Sequence, residues 1–140
     1  MIAPGPGGWL LDTNVLSEIT RPQPEARVLE WMGAQPLAEQ YLSSLTLGEI
    51  RYGVEKMAPG QRQTALRRWL EDTVPTQFSG RILSIDEAVA HCWGRLRVDA
   101  GRPLPAIDGL LAATAIAHGL VLVTRNSADF AGLPTLQLCN

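Results

Sequence analysis

A short apolar run, Trp9-Leu10-Leu11, ends abruptly on Asp12, and Thr13-Asn14-Val15-Leu16-Ser17 follows at once. The pattern predicts a buried strand that turns straight into a helix, with a carboxylate at the junction. In open parallel α/β sheets, loops and helix N-termini converge in the crevice beyond the carboxyl ends of the strands. This one junction therefore constrains both the architecture and the place where chemistry can occur.

Strand and helix signals alternate along the rest of the chain. After the strand Trp9–Asp12 a short helix is expected from Asn14 to about Thr20, and Arg21-Pro22-Gln23-Pro24 breaks it. A helix from Glu25 to about Ala34 would put Val28, Leu29 and Met32 on one face, and Tyr41 to Ser43 reads as a second strand. Ser44 or Thr46 can cap a helix through Met57, and an Arg- and Gln-rich helix follows from Gln61 to about Asp72. Arg81 to Ile85 is a third strand, and Asp86 caps a helix carrying Ala90, Trp93 and Leu96. A further apolar helix stops at Gly119. Leu120 to Thr124 is the clearest strand, and Thr135 to Leu138 reads as a last one. The expected fold is α/β: a single Rossmann-like domain with a parallel sheet of four to five strands flanked by helices.

With 140 residues, 46% of them apolar, the chain can build one core. The Pro- and Gly-rich residues 1–8 are expected to form a flexible lead before a domain spanning 9–140. They lack the basic start and apolar centre of a secretory signal. The longest apolar stretch, roughly Leu110 to Val123, is interrupted by His118 and Gly119 and falls short of a bilayer span, so no membrane association is expected. Cys92 and Cys139 are far apart in sequence, which argues against a disulfide scaffold and for a cytoplasmic location. A net charge of −2 gives no long-range attraction to polyphosphate, so nucleic acid would have to be held by local Arg residues or by metal.

Two more acids stand inside apolar helical patterns: Glu49 in Leu45-Thr46-Leu47-Gly48-Glu49-Ile50, and Asp108 in Ala106-Ile107-Asp108-Gly109-Leu110-Leu111. Asp12 lies at a strand end, Asp108 in a first helical turn and Glu49 in a second, so all three can face one crevice. Two such charges about 4 Å apart repel by roughly 4 kcal/mol at an effective dielectric near 20. Either a carboxyl takes up a proton or a divalent ion enters. Hard oxygen ligands without a His or Cys cluster point to Mg²⁺ or Mn²⁺, and the chemistry that fits is phosphodiester hydrolysis. Taken singly, each acid has a plainer role: Asp12 and Asp108 as helix caps, Glu49 as a partner of Arg51. The Gly5-Pro6-Gly7-Gly8 segment precedes a strand instead of joining strand to helix, which excludes a P-loop or dinucleotide fingerprint.

Four segments together resemble the signature blocks of the PIN-domain family, in the branch of the VapC and FitB toxins. They are Leu10-Leu11-Asp12-Thr13-Asn14-Val15-Leu16-Ser17-Glu18, Ser44-Leu45-Thr46-Leu47-Gly48-Glu49-Ile50-Arg51-Tyr52-Gly53, Ile107-Asp108-Gly109-Leu110-Leu111-Ala112-Ala113-Thr114-Ala115 and Val123-Thr124-Arg125-Asn126. The resemblance implies a PIN-like domain with Mg²⁺- or Mn²⁺-dependent ribonuclease activity, the toxin of a type II toxin–antitoxin pair. Asp12, Glu49 and Asp108 match the first three acidic site residues and would be the metal ligands. The fourth position, often an acid after Thr-Arg in that branch, holds Asn126, with Asp129 three residues on as the other candidate. Thr13, Asn14 and Thr124 match polar positions that arrange the pocket. The implied partners are RNA, a VapB-like antitoxin that reaches operator DNA on the toxin's behalf, and a second copy of the chain, giving a homodimer and a heterotetramer or larger assembly with antitoxin.

In this reading Asp12 and Asp108 bind the ion, Glu49 holds and deprotonates a water, and cleavage leaves a 5′-phosphate. Arg21, Arg51, Arg95, Arg102 and Arg125 are candidates to hold flanking phosphates. The alternatives are a catalytically weak PIN-like binding module, suggested by Asn126, and another metal-dependent phosphohydrolase on a similar sheet.

Overall fold

The structure, a computed structural model, describes residues 7–133 and the backbone of 138–139. Five parallel strands make one sheet in the order β3-β2-β1-β4-β5: β1 (Gly8–Leu11), β2 (Gln40–Ser43), β3 (Ile82–Leu83), β4 (Leu120–Val123) and β5 (Leu138–Cys139). β1 sits at the centre, paired to β2 on one side and to β4 on the other. The strand order turns from descending to ascending between β1 and β4. That reversal opens a crevice at the carboxyl ends of these two strands.

β1 and β4 are buried along their whole length, as expected of central parallel strands covered on both faces. Alternation divides their side chains. Trp9, Leu11, Val121 and Val123 enter one core with Val15, Leu16, Ile50, Val54, Val74 and Phe78. Leu10, Leu120 and Leu122 enter the opposite core with Leu96, Ala112, Ala115 and Phe130. On the first face lie α1 (Thr13–Leu16), which tightens into a 3₁₀ turn at Ser17–Thr20, then α2 (Ala26–Ala34) and α3 (Ser44–Lys56). α4 (Gln61–Arg68) runs through a π turn at Trp69–Thr73 into α5 (Val74–Gln77). The other face carries α6 (Glu87–Asp99), α7 (Ala106–His118) and α8 (Ser127–Phe130).

Trp31 of α2 meets Trp9 of β1 edge to face, with centroids 5.0 Å apart and planes at 84°, so α2 is fastened to the sheet by its aromatic ring. α7 packs closely on α6 because Gly109 leaves room for Trp93; a Cβ there would lie 3.0 Å from the Trp93 indole nitrogen.

The structure refines several expectations. The long helix foreseen over 61–72 is interrupted by the π turn, and β3 is limited to two residues. α3 is capped by Ser43, whose hydroxyl accepts from the Leu45 amide, rather than by Ser44 or Thr46. Thr46 is buried instead, because it faces α1. Leu29 is 39% exposed, since the buried face of α2 is set by Val28, Trp31 and Met32. Asp86 and Gly119 cap as expected, Gly119 in the left-handed region at φ 65°. Residues 1–6 of the expected lead, and residues 135–137 of the expected last strand, lie outside the described residues. Gly7 and Gly8 belong to the sheet rather than to a lead: the Gly7 amide donates to the Gly119 carbonyl at 3.3 Å, and Gly8 opens β1.

Gly8 is the tightest point of this sheet. Its φ is +107°, and a Cβ added there would stand 2.3 Å from the Glu39 carbonyl oxygen. Gly8→Ala is therefore expected to lower stability by more than about 1 kcal/mol, read as a lower denaturant midpoint with an unchanged slope. An unaltered midpoint would contradict the crowding at this strand start.

Candidate active site

Asp12 follows the last residue of β1 and is 7% exposed. Its amide donates to the Val123 carbonyl at 2.8 Å, which extends the β1–β4 pairing by one residue and fixes the carboxylate over the crevice. One carboxylate oxygen accepts the Thr13 amide at 2.7 Å, the first free N–H of α1. The other accepts the Thr124 hydroxyl at 2.8 Å and a longer contact from the Asn14 amide at 3.4 Å. The Thr124 hydroxyl also accepts the Asn126 backbone amide at 3.0 Å, and the Asn14 side-chain Oδ1 accepts the Arg125 backbone amide at 3.1 Å. The β1 end and the β4 end are thus laced together through Asp12, Asn14 and Thr124.

Glu49 reaches the site from α3. The Thr13 hydroxyl donates to its Oε1 at 2.6 Å, and the Thr46 hydroxyl is 3.2 Å from that of Thr13. Asp108, partly buried in the first turn of α7, has no side-chain capping bond; Pro105 occupies the cap position. Arg51 pairs with Glu55 at 3.3 Å and Glu71 at 2.8 Å, so Glu49 is not its partner.

The carboxylates feel one another. Burial pushes the Asp12 carboxyl above the ordinary carboxylate value, against the opposing hydrogen bonds from Thr124 and Thr13, and the charges of Glu49 and Asp129 push it further. Burial also raises the Asp108 carboxyl, with the charges of Asp12 and Asp129 adding to it. Asp129 in α8 therefore acts on both acids. Asn126 contributes its backbone amide to Thr124, and its side chain is exposed without a capping bond.

Among the described residues no three Asp, Glu, His or Cys side chains stand close enough to form a ready-made metal cluster. The donor set nevertheless suits a hard divalent ion. It consists of carboxylate oxygens, two of them in groups whose burial and mutual repulsion call for positive charge.

Of the five arginines proposed for phosphate, Arg51 is engaged by Glu55 and Glu71, and Arg102 donates to the Asp129 and Ala131 carbonyls at 3.0 and 3.3 Å. Arg21 and Arg125 both pair with Glu18, whereas Arg95 is exposed on α6. Nothing in the sequence marks Glu18 as a site residue: it closes the Asp12 segment inside the short helix expected from Asn14 to about Thr20, yet it is 3% exposed. No helix among the described residues is long and apolar enough to cross a membrane.

A family model described as PIN domain matches residues 9–134. Toxin FitB of Neisseria gonorrhoeae is 42% identical over 124 residues, covering 86% of this chain and 89% of FitB. VapC ribonuclease Y4jK of Sinorhizobium fredii is 38% identical over 133 residues, covering 91% of this chain and 95% of the relative. The solved structure of FitAB bound to an IR36 DNA fragment has a TM-score of 0.88 to this fold at 38% identity, with 94% of each chain covered.

A carboxyl whose folded value is raised leaves the protein more stable below its ordinary value of 3.8 and less stable once pH rises through the raised one. Asp108→Asn removes that penalty. In EDTA near neutral pH it is expected to raise Tm by about 2 °C. The gain should vanish as pH falls toward the ordinary carboxylate range, and a gain that persisted in acid would rule out charge repulsion as its source.

Proposed function

The chain belongs to the PIN-domain family, and on that premise we propose that it is a metal-dependent endoribonuclease, the toxin of a type II toxin–antitoxin pair. The observation that carries this reading is Asp12. A buried carboxylate is held at the sheet's switch point by donors from α1 and the end of β4, under the charges of Glu49 and Asp129, while Asp108 feels the charge of Asp12. The activity in the name of the VapC relative, and the two-component FitAB complex on DNA, support the same assignment. An antitoxin of the VapB or FitA type is the expected partner, presenting the toxin to operator DNA, and a second copy of the chain is expected in the assembly.

Asp12 and Asp108 would hold a Mg²⁺ or Mn²⁺ ion with water, Glu49 and Asp129 adding negative charge at its edge. When bound, such an ion supplies Lewis acidity and neutralises charge on the phosphoryl oxygens. Thr124 and Asn14 keep the Asp12 carboxylate in one orientation, and the Thr13 hydroxyl does the same for Glu49. Glu49 is exposed, and its Oε2 has no partner among the described residues, so it can take a proton from an incoming water. The water oxygen bonds to phosphorus and the P–O3′ bond breaks. The 3′ oxygen recovers a proton from solvent, leaving a 5′-phosphate and a 3′-hydroxyl. Single-stranded or looped RNA fits best, because its backbone can bend into a recessed crevice. The weak-binding alternative raised by Asn126 is less supported, since Asp129 brings acidic charge to both Asp12 and Asp108.

Incubation of the purified chain with single-stranded RNA tests the reading. Cleavage is expected with Mg²⁺ or Mn²⁺ and not in EDTA, giving 5′-phosphate ends without 2′,3′-cyclic phosphate. Glu49→Gln should lower kcat/KM by about 10²- to 10⁴-fold, and Thr124→Val by about 10- to 100-fold through lost orientation of Asp12. Full activity in EDTA, or in a folded Asp12→Asn protein, would refute the assignment.

A further inference from the structure

Beside the acidic crevice lies a cavity of about 410 Å³, within the roughly 300–1,000 Å³ usual for small-molecule sites. Its apolar lining includes Val15, Val28, Trp31 and Val123, while Arg27 and Arg125 supply guanidinium groups and Glu25 a carboxylate. Thr124 lines it too, and the Thr124 hydroxyl holds the Asp12 carboxylate. Cavity and crevice are therefore contiguous.

Arg125 is fixed between them from two sides. Its backbone amide donates to Asn14 at 3.1 Å, and its Nη1 donates to Glu18 Oε2 at 2.8 Å. Glu18 is 3% exposed, and its other oxygen accepts the Glu25 amide at 2.9 Å, with Arg21 Nε 3.4 Å from Oε2. The Arg125 side chain is still 40% exposed, and its remaining guanidinium N–H groups have no partner among the described residues. Arg27 is 91% exposed and paired to Glu25 only at 3.5 Å. A cationic edge between an acidic crevice and an apolar, aromatic slot matches one nucleotide in order: phosphate on the arginine, base in the slot.

We propose that this cavity is a nucleoside subsite for single-stranded RNA, in which Arg125 binds the phosphate next to the scissile one and Val28 and Trp31 receive its base. Glu18 is a positioning residue that acts through Arg125. The proposal rests on the nuclease reading, singles out Arg125 among the five candidate arginines and adds a site for the base. The charges at the cavity favour RNA over a peptide: three guanidinium groups, Arg21, Arg27 and Arg125, face two carboxylates, Glu18 and Glu25, which leaves a net positive charge to meet an anionic backbone.

Steady-state cleavage of a short single-stranded RNA by the full chain in Mg²⁺ tests it. Arg125→Ala should raise KM about 5- to 50-fold and leave kcat within about twofold, with the salt slope of log KM reduced by about 1. Glu18→Gln should give the same KM-only loss, and the Glu18→Gln, Arg125→Ala double variant should be no worse than Arg125→Ala alone. Trp31→Ala should raise KM similarly, with Val28→Glu as the check should loss of Trp31 unfold α2. The same variants in an Asp108→Asn background, titrated with a fluorescein-labelled RNA and read by anisotropy, report binding without turnover. Normal cleavage with KM unchanged in folded Arg125→Ala and Val28→Glu proteins overturns the subsite while sparing the nuclease reading. Variant-sensitive RNA binding by a chain that never cleaves supports the subsite and sinks the nuclease. Unchanged RNA affinity together with weakened binding of an antitoxin-type protein overturns the proposal and gives the cavity to that partner.

Discussion

An ionised carboxylate at the end of a buried strand has lost most of its water, and it persists there only if donors are waiting for it. Asp12 meets that demand with the Thr13 amide, the Thr124 hydroxyl and, more weakly, the Asn14 side chain. None of these is a full positive charge, so burial still wins and the Asp12 carboxyl stays above its ordinary range. The crevice is thus a place of residual electrostatic discomfort, and this is what makes it receptive to a cation.

The surrounding layers sustain that condition without relieving it. Both faces of β1 and β4 are sealed by separate apolar cores, which excludes water from beneath the site. α3 delivers Glu49 to the Thr13 hydroxyl, and α7 brings Asp108 within electrostatic reach of Asp12. The arginines that could have neutralised these acids are committed elsewhere: Arg51 to Glu55 and Glu71, Arg102 to backbone carbonyls, Arg21 and Arg125 to Glu18. Stability is traded locally for a standing negative potential, the usual pattern where a site is preorganised for charge.

Sequence periodicity revealed most of this because the central strands are strong local signals. Leu120 to Val123 can be little else, and an acid such as Asp12 stands out directly after an apolar run. A parallel sheet also follows once helices alternate with strands, whereas its order, with β1 between β2 and β4, does not. Less legible were the features set by tertiary context. The π turn at Trp69–Thr73 leaves no mark in the helical pattern, and α8 is too short to show periodicity. Glu18 lies in a short helix expected from Asn14 to about Thr20, and only the approach of Arg125, 107 residues later, discloses its burial. Spacing likewise does not choose between Asn126 and Asp129, because that depends on how near α8 brings each to Asp12 and Asp108.

The central strand has one neighbour that follows it within a few dozen residues and another that arrives only at Leu120. Asp12 receives its Thr124 hydroxyl across a separation of 112 residues. During synthesis the polypeptide therefore emerges with its acids in hand but with no pocket to put them in. Any catalytic power the crevice has stays latent on the ribosome until β4 docks beside β1, a contact of high sequence separation and hence a slow one to form. A potentially harmful activity is by this topology confined to chains that extend past β4.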